Sequence, residues 1–226
     1  MTISVVIPAL DEASRIAAVI EHAARLGFTD IVVVDGGSRD RTAEEAGRTT
    51  LAQVLSSAPG RAKQMNRGAA AAAGDLLLFL HADTRLPAGA KFSIEQALKD
   101  PLVLGGRFDV EFDSASFWGL VVAWFMNTRS RWSRIATGDQ ALFVRRATFE
   151  HLGGFADIPL MEDIEFTTRL KRSGHTIALR DKVTTSFRRW EQRGPLRTIL
   201  LMWLLRFLYW IGIAPSRLHR WYAPVR

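Results

Sequence analysis

Residues Gly74 to Pro87 read GDLLLFLHADTRLP, an apolar run that ends in His81-Ala82-Asp83. An imidazole and a carboxylate at the tip of a buried strand suit proton transfer or a hard cation. Two comparable clusters follow earlier β-branched runs: Pro8-Ala9-Leu10-Asp11-Glu12 and Asp35-Gly36-Gly37-Ser38. Later, Gly138-Asp139-Gln140 precedes a strand-like run, and Glu162-Asp163 opens an amphipathic stretch. Taken singly, each has an ordinary structural explanation. Acidic residues favour the positive end of a following helix, and glycines supply turn dihedrals. Three clusters at the carboxyl ends of strands in one sheet are harder to dismiss, because open α/β sheets gather ligands along that edge.

The elements that hold these residues follow from periodicity. Ile3 to Ile7, Ile31 to Val34 and Leu76 to Leu80 are short continuous apolar runs, the pattern of parallel strands covered on both faces. Val54 and Leu55 predict a shorter third strand. Ser14 to Leu26 places Ile16, Val19, Ile20 and Ala23 on one helical face before Gly27 stops it, and Ala62 to Ala73 is a helix of strong formers. The first eighty residues therefore read βαβαβαβ. Beyond them, Leu104 to Phe112 and Ala141 to Val144 predict strands, Phe117 to Met126 an apolar helix, and Glu162 to Lys171 a helix closed by Gly174.

Composition narrows the class. Of 226 residues, 48% are apolar, enough for a sizeable core and against disorder. The absence of cysteine excludes disulfides and thiolate-bound zinc. MTISVVIPAL lacks the basic start and long apolar stretch of a signal peptide, so a cytoplasmic location is expected. The net charge of +7 is concentrated late: residues 180–226 carry ten Lys/Arg against Asp181 and Glu191. Such a patch attracts phosphates, nucleic acid or an anionic membrane. Thr198 to Ala214 has one charge, Arg206, and is shorter than the roughly 20 apolar residues a spanning helix needs. Its tryptophans and flanking arginines fit an interfacial helix, with a core helix packed on the domain as the competing expectation. The division expected is a domain over 1–187 and a basic, Trp-rich helical extension over 188–226.

Four blocks, ISVVIPALDE, IVVVDGGSRDRT, GRAKQMNRGAAAAAGDLLLFLHADT and GGFADIPLMEDIEF, occur in the order found in family 2 glycosyltransferases. The chain resembles that family from Met1 to about Lys171, and most of all a small subgroup with HAD in place of DxD and an RRWEQRG-like tail. The resemblance implies a GT-A fold: one Rossmann-like, mainly parallel mixed sheet flanked by helices, here with the amphipathic extension. It implies an inverting, metal-dependent transfer from a nucleotide-diphospho-sugar, with UDP the expected nucleotide, to an acceptor hydroxyl. By position, Asp35 would accept a hydrogen bond from the base, with Pro8, Ala9 and Glu12 shaping the pocket for base and ribose. His81 and Ala82 would lie on the nucleotide side, and Asp83 would hold Mg²⁺ or Mn²⁺, with His81 as a second candidate ligand. Arg61 and Lys63 would supply positive charge to the diphosphate. Asp163, with Glu162 beside it, would be the general base. Asp139 and Gln140 would line the acceptor side, and Arg188, Arg189 and Trp190 would form a lid.

The basic, Trp-rich end and the apolar Phe117 to Met126 segment add the expectation of a lipid-borne acceptor or a membrane surface. Competing readings are a nucleotidyltransferase, an inactive sugar-nucleotide-binding or membrane scaffold protein, and a nucleic-acid binder. The first wants a Gly-rich basic loop after strand one, and PALDEASR has no glycine. The second would bind a donor without hydrolysing it in Mn²⁺. The Leu/Trp content of the tail argues against nucleic acid.

Overall fold

The computed structural model describes residues 1–221, except the side chain of Arg189, which lies outside the described residues. The first half runs β1 (Ile3–Ala9), α1 (Ile16–Arg25), β2 (Asp30–Asp35), α2 (Thr42–Arg48), β3 (Gln53–Ser56), α3 (Arg61–Ala71) and β4 (Leu76–Phe79). It continues with β5 (Thr84–Arg85), α4 (Ala90–Ala97), β6 (Val103–Phe112), α5 (Phe117–Ser133), a 3₁₀ turn (Gly138–Gln140) and β7 (Leu142–Arg145). Then come α6 (Arg146–His151), α7 (Glu162–Ser173), β8 (His175–Thr185), α8 (Arg188–Arg193), α9 (Pro195–Trp210) and α10 (Pro215–His219).

The strands form one eight-stranded sheet in the order β3-β2-β1-β4-β7-β6-β8-β5. Pairing is parallel from β3 to β4 and between β6 and β8, and antiparallel at β4–β7, β6–β7 and β5–β8. Register brings the three clusters together. Ala9 lies beside Asp35, and Val6 beside Phe79. Continued three residues, the second register sets Ala82 level with Ala9. The loops carrying Glu12, Asp35 and Asp83 thus leave the sheet along one rim.

Alternate residues of the central strands feed two cores, as the two-residue period of a strand requires. Val5, Ile7, Leu76 and Leu78 pack with α1 and α4 on one face, while Val6, Val34, Leu77 and Phe79 pack with α3 and α7 on the other. A Cβ on Gly68 of α3 would stand 2.4 Å from Val6 Cγ1, so glycine there is what lets the helix settle onto the sheet.

Several boundaries differ from the sequence-based expectation. Helix α5 continues past Met126 to Ser133, its polar end held by Asn127, which bonds the amide and carbonyl of Val110, and by the buried Ser130. Strand β8 was not anticipated. A bulge shifts its register between Ala178 and Lys182, and Arg180, Asp181 and Lys182 interrupt any alternation. The extension packs as part of the body: Leu205 of α9 and Leu218 of α10 bury Met161, with Leu160 and Ile164 beside them. Among the described residues, no helix is long and apolar enough to cross a membrane.

Candidate active site

The loops after β1 and β2 are latched to each other. The Asp11 amide donates to Ser38 Oγ (2.9 Å), the Glu12 amide to Thr42 Oγ1 (2.8 Å) and the Arg39 amide to Asp11 Oδ1 (2.7 Å). Gln64 of α3 donates to the carbonyls of Ala9 (2.7 Å) and Val34 (2.9 Å) beneath them. Asp35 is buried, and its carboxylate accepts from the amides of Gly37 and Ser38, both at 3.1 Å, and from the Ser38 hydroxyl. Pro8 is half-buried and Ala9 buried at the rim.

Beside this rim opens a cavity of about 220 Å³. Asp83, His81, Asp139, Arg61, Glu162 and Asp163 all line it. Asp163 is fixed twice: its Oδ2 accepts from the Gly138 amide (2.8 Å) and its Oδ1 from the Ile164 amide (2.7 Å). One bond comes from the 3₁₀ turn and the other from the first turn of α7, so the carboxylate is held at the junction of two elements. Glu162 is buried and lies 3.5 Å from the Arg61 guanidinium at the start of α3. Burial raises the Glu162 carboxyl above its usual range; Arg61 offsets part of this and Asp163 adds to it. Arg61 is itself exposed at the cavity mouth, and the carboxylates of Glu162, Asp139, Asp163 and Asp83 push its guanidinium above its ordinary value. Arg61 is thus the electrostatic hub of the cavity.

The His81 ring is clamped between two residues of the 3₁₀ turn. Its Nδ1 is 3.2 Å from Asp139 Oδ1, and its Nε2 is buried without a hydrogen-bond partner. A Cβ on Gly138 would meet that Nε2 at 2.4 Å, so the turn closes over the ring. Asp83 presents a carboxylate to the cavity. Among the described residues its hydrogen-bond partner is the Thr84 hydroxyl at 3.3 Å, and no group of three or more His, Asp or Glu could hold a metal. Such a donor set fits a hard cation that takes one protein carboxylate and fills its remaining positions with phosphate oxygens and water. Burial raises the Glu12 carboxyl and Asp83 adds to the rise, while Arg15 and Arg188 lower it. Asp83 therefore sits where rim and cavity meet.

The extension closes the same opening. Arg188 of α8 reaches Glu12 Oε1 at 3.9 Å, and both Arg188 and Trp190 line the cavity. Trp190 stacks on Phe187 at 6.2 Å between ring centres. Other expected residues face elsewhere. Lys63 pairs with Asp157 at 3.6 Å on the surface, outside the cavity lining. Gln140 is buried and caps its own turn, accepting from the Thr137 amide at 3.2 Å. Ala82 is buried below the rim. Arg129 and Arg206 were missed as site residues, yet both line the cavity. Their spacing carried the signal: Val122, Met126 and Arg129 fall at i, i+4 and i+7, as Ile199, Met202 and Arg206 fall at i, i+3 and i+7. Each arginine continues an apolar stripe.

A family model described as glycosyl transferase family 2 matches residues 4–154. Among curated proteins, the chain is 27% identical over 219 residues to a probable glycosyltransferase, YdaM, of Bacillus subtilis strain 168. The match covers 84% of this chain and 50% of that protein, so the chain spans about half the length of the curated relative it matches. A mannosyltransferase of Pyrobaculum calidifontis, in complex with GDP-Man and Mn²⁺, superposes with a TM-score of 0.64 at 19% identity, covering 80% of this chain and 56% of that one. S. aureus TarS in complex with UDP gives 0.68 at 16% identity, covering 82% and 60%. Glucosyl-3-phosphoglycerate synthase of Mycobacterium tuberculosis, with Mn²⁺, UDP and phosphoglyceric acid, gives 0.61 at 22% identity, covering 81% and 69%. At these identities the structures share a fold with this chain.

Proposed function

Because the chain belongs to glycosyl transferase family 2 and has the GT-A fold, we propose that it transfers a sugar from a nucleotide-diphospho-sugar, a UDP-sugar by preference, to an acceptor hydroxyl with inversion. The observation that carries this reading is that Asp83 and Asp163 line one cavity, joined by Arg61. The nucleoside lies along the rim formed by Pro8, Ala9, Glu12 and Asp35, outside the cavity proper. Its diphosphate reaches Asp83, and the sugar enters between Asp83 and Asp163. Asp83 would hold Mg²⁺ or Mn²⁺, which would supply positive charge to the departing nucleoside diphosphate. His81 acts through Asp139, fixing the turn that donates the Gly138 amide to Asp163.

Asp163 takes the proton from the acceptor hydroxyl as its oxygen attacks the anomeric carbon opposite the leaving phosphate. Its two backbone hydrogen bonds orient it and leave the remaining lone pairs for that proton. Arg188 and Trp190 cover the donor once bound, a role shared by Arg189, whose side chain lies outside the described residues.

A lipid-borne acceptor and a membrane surface are supported by the cavity's apolar wall. Phe125 of α5 and Trp203 of α9 line the cavity and are also exposed, at 48% and 64%. Around them α5 exposes Leu120 and Trp124, and α9 exposes Leu200, Leu204, Phe207 and Trp210. Apolar surface of this kind marks an interaction site. The reading is tested by incubating the protein with a panel of UDP- and GDP-sugars in Mn²⁺ and following release of nucleoside diphosphate. Release from one donor class is expected, slow with water and faster with an acceptor. Binding without release from any donor would favour an inactive binding protein instead.

A further inference from the structure

Several half-buried arginines of this protein are satisfied by carbonyls or carboxylates. Arg146 donates to the carbonyls of Gly74 (2.6 Å), Ala72 (2.7 Å) and Ala69 (3.0 Å). Arg145 does the same with Val103 (2.9 Å), Leu98 (2.8 Å) and Asp100 (3.1 Å). Arg169 joins Glu165 and the Gly154 carbonyl. Arg129 and Arg206 depart from this pattern. Arg129 Nη2 and Arg206 Nε are buried with no hydrogen-bond partner, and neither guanidinium has an acidic partner within 4.0 Å among the described residues. Both line the cavity, one from α5 and the other from α9.

The two cations also oppose each other. Burial pulls the Arg129 guanidinium down to about 9, with the Arg206 charge adding to the fall and Asp163 resisting it. Burial lowers Arg206 as well, against Asp163 and Asp139. Buried, unpaired like charges cost stability, and a buried cation retained without a partner wants an anion that the folded chain does not supply. The third cation of the group, Arg107, leaves Nη2 buried and unpartnered, but it holds the Ser130 hydroxyl and does not line the cavity.

The pair faces a particular end of the cavity. Arg129 comes from α5 and Arg206 from α9, the two helices that supply the cavity's apolar wall, whereas Asp83 comes from the loop after β4. Around them stand Val122, Met126, Ile199 and Met202.

We propose that Arg129 and Arg206 form an oxyanion subsite at the acceptor end, so that the acceptor carries a phosphate or carboxylate on an apolar body. This rests on the transferase reading above. Guanidinium groups grip either oxyanion through paired N–H donors, and the apolar stripes on which both arginines stand receive the rest of the molecule. The second cation comes from α9, so the acceptor site is incomplete without the C-terminal extension.

Calorimetry with decyl phosphate, decanoate and decanol tests this, using the whole chain and its R129Q and R206Q variants, with UDP plus Mn²⁺ as a separate titration. One of the two anions should bind roughly tenfold or more tightly than decanol, and each variant should lose that preference. The anion preferred identifies the oxyanion. UDP affinity should stay within about twofold, since hydrogen bonds to charged groups are local. Equal binding of anions and alcohol by the unaltered protein would overturn the subsite. A fall in UDP affinity in both variants would assign the arginines to the donor, which also overturns it. Failure of the unaltered protein to bind UDP would instead remove the underlying transferase reading. A second variant guards against misfolding: R129M should raise Tm, because it removes an unpaired buried charge while keeping the apolar stem. A lowered Tm would show that Arg129 serves the fold.

Discussion

Asp163 and Glu162 are neighbours in sequence with opposite surroundings. Asp163 is held by two backbone amides and faces the cavity, whereas Glu162 is buried against Arg61. On the proposed mechanism, Asp163→Asn keeps the hydrogen-bonded shape but cannot take a proton. It should lose about 10²- to 10⁴-fold in transfer rate while UDP affinity, measured by calorimetry, stays nearly unchanged. Turnover at the original rate would remove Asp163 from the chemistry. Glu162 gives a pH signature. Its folded pKa is raised from an ordinary 4.5, so its stabilising contribution is complete below that value and is lost as pH rises through the folded one. Glu162→Gln stays neutral at every pH. The Tm of the variant should therefore gain on that of the unaltered protein as pH rises from 4 to 8. An equal gain at both ends of that range would contradict the assignment. Both carboxylates were legible in MEDIEF, but their division of labour was not, because it depends on Arg61 arriving from a distant helix.

At the scale of elements, the 3₁₀ turn before β7 is the piece on which site geometry turns. It touches His81 in the loop after β4, supplies the amide that orients Asp163, and carries Asp139. Gly138 must be small for this, since a methyl group would fall 2.4 Å from His81 Nε2. Gly138→Ala should cost about 1–3 kcal/mol by overpacking and slow transfer together, read as a lowered Tm and a reduced rate. An unaltered Tm would mean that the ring has room to move. The βαβαβαβ half was readable because its strands are covered on both faces and its helices have clean apolar stripes. The GDQ turn was visible only as a polar triplet. Gln140, expected on the acceptor side, is spent on capping, a role set by the tight 3₁₀ geometry rather than by residue type. Strand β8 escaped for the opposite reason: its bulge places charged residues in mid-strand, so alternation fails where pairing persists.

Across the whole molecule, the described part of the extension, residues 188–221, behaves as a wall of the site rather than an appendage. Met161, the residue before the Glu162-Asp163 pair, is buried under Leu205 and Leu218, and Arg188 bridges to Glu12. The sequence offered an interfacial helix or a core helix, and α9 has features of both: Thr198 and Leu205 are buried while Leu204, Phe207 and Trp210 are exposed. Replacing those three exposed residues with serine should abolish co-sedimentation with phosphatidylcholine vesicles containing anionic phosphatidylglycerol. Stability should move little, within about 0.5 kcal/mol per site, as for most surface substitutions. Equal sedimentation of both forms would argue against a membrane surface. The central claim, that rim and cavity together receive one nucleotide-sugar with its diphosphate at Asp83, has a more direct test in calorimetric titration of UDP with and without Mn²⁺. The account predicts that binding strengthens at least tenfold with Mn²⁺ and that Asp83→Ala erases this gain without unfolding the protein. The same Mn²⁺ dependence in the alanine variant would contradict it.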